Sequence, residues 1–135
     1  MDLDECFRKG LIKKTEINKD LIKSLIEMSN IKEETVKTAN INEINISAYV
    51  SLAYDSLREI LEALALKNGF KIYNHEGHTA FLKEILKKSD DGDEFDEIRK
   101  VRNDVNYYGK DISVTEAQEY VNDIKELIKL LRRKF

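Results

Sequence analysis

At 135 residues the chain suits a single domain, 1–135, with room for a core of its own. Charged residues make up 36% and hydrophobic ones 41%, a globular composition, and no apolar run approaches the roughly 20 residues of a membrane span. The net charge of −3 excludes a global basic field for nucleic acid and leaves only local patches.

There is no proline and there are five glycines, which argues for long helices with few sharp turns. The opening MDLDECFRKG is acidic at once and lacks the apolar region of a signal peptide. A lone cysteine, Cys6, makes no internal disulfide and reads as a packing residue beside Phe7. A cytoplasmic setting is the expectation.

Apolar spacings of three and four recur along the chain. A short first helix ends near Gly10. The second, over about 18–39 with Asn18 as its cap, has the stripe Leu21, Ile22, Leu25, Met28, Val36 and Ala39, broken at Ser29, Lys32 and Thr35. The third, over about 43–67, is apolar around much of its circumference, from Ile44 and Ile46 through Leu57, Ile60 and Leu61 to Leu66. Such a helix belongs at the centre of a bundle or in an oligomer contact. Asn68-Gly69 closes it, with glycine where a left-handed residue belongs.

FKIYN reads as a loop. A fourth helix over about 75–88 follows, capped by Asn74, with the stripe His78, Phe81, Leu82 and Ile85. The fifth starts near Asp93, where the acidic run 90–97 suits a helix N-terminus. Its stripe is Phe95, Ile98, Arg102 or Val101, Val105 and Tyr108. The sixth opens on a capping box, Ser113 with Glu116, and ends on basic residues that suit its C-terminal dipole. No strand-like alternation persists. The expected fold is all-α: an up-and-down antiparallel bundle of four main helices with one or two short ones.

The fifth helix carries the polar cluster. Arg102 falls within the apolar stripe, and a buried arginine needs a partner. Arg99, Asn103 and Asn106 lie on the same broad side, giving two cationic forks and two amides suited to phosphate or ribose oxygens. The alternative is an internal polar network in which Arg102 pairs with Asp55, Glu59 or Glu62. His75 and His78 stand one turn apart around Glu76. Two ligands without a third are too few for a metal, so no metal and no cofactor is assigned. Either histidine would suit a general base. No phosphate-cradling glycine loop, Gly-x-Ser-x-Gly elbow or Cys-x-x-Cys pair is present.

Three stretches carry a resemblance: DLDECFRKGLIKK, SLAYDSLREILEALALKNGFKIYNHEGHTAFLKEIL and IRKVRNDVNYYGKDIS. Together they resemble the HEPN domains, in particular the small stand-alone prokaryotic and archaeal proteins, over about 2–113. The resemblance implies an up-and-down helical bundle that commonly forms a two-fold homodimer, consistent with the apolar surface of the 43–67 helix. Many members are metal-independent RNases, and several are toxins paired with a small nucleotidyltransferase. In active members an arginine, a polar residue and a histidine, with four to six residues between the arginine and the histidine, form the site, in a cleft between two protomers.

Arg102 and Asn103 match the first two positions. Tyr107, Tyr108 and Gly109 stand where the histidine would fall. Tyrosine, with an ordinary pKa near 10, is a poor base at neutral pH. The leading expectation is therefore a HEPN-like protein that binds RNA or a nucleotide through Arg99, Arg102, Asn103 and Asn106 without the usual base. It would sit within a toxin–antitoxin or defence module. The runner-up is an RNase whose catalytic set is Arg102, Asn103 and Tyr107 with His75 or His78 recruited as base. A third reading is a non-catalytic, dimeric interaction module.

Overall fold

The computed structural model describes residues 1–107 and 111–135, and for Asn106 and Tyr107 the backbone only. Its elements run α1 (Leu3–Arg8), β1 (Ile12–Lys14), α2 (Lys19–Lys37), α3 (Ile46–Lys67), β2 (Phe70–Ile72), α4 (His75–Ala80), a π-helical turn (Phe81–Ile85), α5 (Ser89–Tyr107) and α6 (Val114–Arg132). The chain is mostly helical, as expected. Among the described residues no helix is long and apolar enough to cross a membrane.

Helix α3 is the centre. Val50, Leu57, Ile60, Leu61 and Leu64 are fully buried along it, each worth about 1.5–3 kcal/mol of transfer free energy. It packs against α2, α5 and α6. Leu25 clusters with Ala63 and Leu66, while Ser29, further along α2, bonds back to Ser56. Residue numbers rise on α2 as they fall on α3, so the pair is antiparallel. The Tyr120 hydroxyl donates to Ile98 O at 2.9 Å, and the α6 end meets the α5 start around Ser89 and Leu130, so α5 and α6 are antiparallel too.

At the α2–α3 seam, Ser29 Oγ donates to Ser56 O at 2.7 Å and Ser56 Oγ donates to Ser29 O at 3.3 Å. The small residues let the two backbones approach while each hydroxyl stays satisfied. Beside this seam Lys32 pairs with the buried Glu59.

Local signals account for most boundaries. Asn18, Asn74 and Ser113 cap α2, α4 and α6 through their side-chain oxygens, and Ser113 and Glu116 form the expected reciprocal box. Gly69 closes α3 at φ +85°. Four expectations need correction. FKIYN is not wholly loop: Phe70–Ile72 pairs antiparallel with Ile12–Lys14, in register Ile12↔Ile72. The fourth helix changes to a π turn at Phe81. Helix α5 begins at Ser89, with Asp90 and Asp91 in its first turn. Finally, Leu21 and Met28 are exposed and Ile44 is 94% exposed ahead of α3, whereas Ser29, read as a break in the stripe, is fully buried.

The basis for expecting a dimer through the third helix also changes. The apolar circumference of α3 is covered by the other helices of the same chain. The outer face of α2, with Leu21, Met28 and Ile31, carries three exposed apolar side chains.

The ribbon sits on the start of α4, and Gly77 makes that approach possible. A Cβ there would meet Ile72 Cγ2 at 2.7 Å and Ile12 Cγ1 at 3.2 Å. Alanine is the better helix former by about 1 kcal/mol, but a clash in a packed interior costs more. Gly77→Ala should therefore lower stability by about 1–2 kcal/mol, measured as a shift in the urea midpoint at unchanged slope.

Candidate functional site

The polar side of α5 faces α3 and the start of α4. Asn74 fixes that start by accepting from Gly77 N at 2.9 Å, which sets His75 and Glu76 in the first turn. His75, Glu76, Thr79, Asp96 and Arg99 then line one cavity of about 210 Å³, together with Met1. Thr79 Oγ1 donates to Asp96 Oδ1 at 2.9 Å, tying α4 to α5 across it. Arg99 Nε lies 4.0 Å from Asp96 Oδ1, is buried, and makes no hydrogen bond.

Further along α5, the Arg102 guanidinium lies over the ring of Tyr54, 5.0 Å from its centroid. Tyr54 stacks in turn on Phe95, with centroids 6.1 Å apart and an 18° interplanar angle. A cation held on an aromatic face keeps its planar donors oriented. Burial pushes the Tyr54 phenol above its ordinary pKa, although Arg102, Arg58 and Arg99 pull the other way. It therefore stays protonated at neutral pH and offers a donor, not a base.

The two histidines part company. His75 is half-buried, with Nε2 3.9 Å from Glu76 Oε1. Burial first, and the Arg99 charge second, push its pKa below the ordinary value, against the opposing pull of Glu76 and Asp96. It is thus a neutral imidazole at pH 7, partly open to solvent. His78 is 5% exposed and packs edge-on against Phe95 at 6.0 Å. Burial, then the Arg58 and His75 charges, push it down to about 3. Its Nδ1 is buried without a hydrogen bond, so His78 is a neutral core side chain. Among the described residues no group of three His, Cys, Asp or Glu side chains could hold a metal ion.

Of the residues singled out in the sequence, the structure brings Arg99 and His75 into one cavity and sets Arg102 one turn further along α5. Asn103 follows Arg102 and is half-buried. The side chains of Asn106 and Tyr107, and all of Tyr108, lie outside the described residues. The carboxylates considered as partners for Arg102 each stand near another cation. Arg58 Nε lies 3.9 Å from Asp55 Oδ1, Arg58 Nη1 lies 3.6 Å from Glu62 Oε2, and Glu59 holds Lys32.

Arg58 is the residue that sequence reasoning missed. It adds a third guanidinium beside Tyr54 and acts electrostatically on His78. Its position four residues after Tyr54 on α3 was the available signal. The chain matches no family model, and no curated protein gives a significant match to it.

Proposed function

We propose that the chain is a HEPN-like protein that binds RNA or a nucleotide along the Arg99–Arg102–Asn103 side of α5, gripping phosphate oxygens with the two guanidinium groups. The observation that carries this reading is the seating of Arg102 on Tyr54, one helical turn from an Arg99 whose nearest carboxylate stands 4.0 Å away. A guanidinium is a planar fork of donors that phosphate oxygens accept in pairs. Arg99→Ala and Arg102→Ala should each weaken binding of single-stranded RNA by about tenfold or more and lower the salt dependence by about one phosphate contact. Filter binding at two salt concentrations, with a thermal melt of each variant, checks this. Unchanged affinity, or lost affinity accompanied by unfolding, would remove the reading.

A second reading is favoured by one specific feature: His75 shares its cavity with Arg99 as a neutral, part-exposed imidazole. In this reading the protein is an RNase in which His75 takes the proton from a ribose 2′-hydroxyl while Arg99 and Arg102 hold the phosphate. His75→Ala should then reduce cleavage of a labelled RNA by about 100-fold while leaving RNA affinity within about twofold. Equal cleavage by both proteins would exclude His75 as the base. A homodimer, and pairing with a nucleotidyltransferase-type protein, remain part of the proposal through the resemblance alone.

A further inference from the structure

A second concavity lies across α3 from the side where Tyr54 meets Arg102. It is a groove of about 310 Å³ between the end of α2, the loop after it, α3 and α6. That volume is in the range of small-molecule sites. Val36, Ala53, Ile124 and Ile128 lie at its base, nearly sealed from solvent, and Ala39, Ile41 and Val121 line it half-buried, giving the accessible apolar floor. Ala53 and Ser56 face this groove, while Tyr54 and Arg58 turn towards α4 and α5.

The rim is charged unevenly. Lys37, at the end of α2, and Lys125, on α6, stand over the apolar floor. Among the described residues neither forms an ion pair. The one carboxylate on the rim, Glu33, is held by Arg132, with Nη2 2.8 Å from Glu33 Oε2. The acid is thus neutralised and the two lysines are not. Asn40 and Asn122 add amide donors beside them.

We propose that this groove binds a small anion with an apolar body, a carboxylate on an aliphatic frame. The chain lies on the floor formed by Ala39, Ile41 and Val121, and the carboxylate sits between Lys37 and Lys125. Each half of the groove rejects a different competitor. A neutral alcohol of the same length gains the floor but leaves the two lysines unanswered. Inorganic phosphate answers the lysines but gains nothing from the floor.

The test is a titration of the full chain with octanoate, 1-octanol and inorganic phosphate, followed by amide chemical shifts. Octanoate should move the amides of residues 36–41 and 118–128 to saturation. Octanol should bind at least about tenfold more weakly, and phosphate should leave those amides in place. Lys37→Glu combined with Lys125→Glu should weaken octanoate at least about tenfold at an unchanged melting temperature, and added salt should weaken it in the native chain. Arg102→Ala should leave octanoate affinity unchanged, which separates this groove from the RNA-binding side. Three results would each overturn the proposal. They are octanol binding as tightly as octanoate, no saturable shift in these segments, and shifts there that follow protein concentration without ligand, which would give the groove to a second copy of the chain.

Discussion

Replacing Lys32 with alanine should cost about 3–5 kcal/mol of stability at pH 7, read as a lowered urea midpoint. Glu59 is 2% exposed, in the middle of α3, and Lys32 reaches it from α2. Its second oxygen, Oε2, is buried with no hydrogen bond, so the ammonium group is what compensates the carboxylate. Removing that group leaves a charge in an apolar seam, which costs far more than the pair itself contributes.

Two further measurements separate this cause from simple loss of packing. An unpaired buried carboxylate takes up a proton more readily, so the gap between Lys32→Ala and the parent should narrow as pH falls from 7 to 5. Lys32→Met combined with Glu59→Leu removes both charges and should recover most of the loss. A gap independent of pH, or a double variant as unstable as the single one, would assign the effect to the lost lysine stem instead.

The long helices were legible in the sequence because each carries enough turns for a 3.6-residue period to repeat, and because Asn18, Asn74 and Ser113 are caps that act locally. The ribbon was not legible. Three residues cannot display an alternation of two, and the pairing of Ile12 with Ile72 spans the whole α2–α3 hairpin. Ser29 looked like a flaw in an apolar stripe because its partner, Ser56, sits on another helix.

The candidate site divides in the same way. The gathering of Arg99, Arg102 and Asn103 on one side follows from helical spacing alone. The seating of Arg102 over a ring depends on the rotation of α3. That rotation turns Tyr54 towards α5, whereas Asp55 and Glu62 stand one turn either side of Arg58 on α3 itself, whatever its rotation. Likewise, one turn of α4 separates His75 from His78, yet one opens to a cavity and the other is walled in by Phe95.

That division between the histidines has a consequence in acid. His78 is buried and neutral, with its pKa pushed down to about 3 by burial and then by the Arg58 and His75 charges. In the unfolded chain the same imidazole titrates near its ordinary value of about 6.5. Above about pH 6.5 neither state binds the proton and the full stability is present. As pH falls below that value, the unfolded chain takes up a proton that the folded chain refuses. Stability is then lost by up to about 1.4 kcal/mol per pH unit until the folded imidazole itself titrates near 3.

His75 is pushed in the same direction but is part-exposed, and its contribution is the smaller of the two. Carboxylates also titrate in this window, so the decisive quantity is the difference between parent and variant. His78→Leu, which keeps an apolar side chain against Phe95 and cannot be protonated, should be close to the parent in stability at pH 4.5 or above it, even if it is less stable at pH 7. The expected convergence is about 2–3 kcal/mol across the two pH units below 6.5. Parallel stability curves for the two proteins between pH 7 and 4.5 would mean that His78 can reach solvent or a counter-charge when protonated, and would return it to the set of candidate bases beside His75.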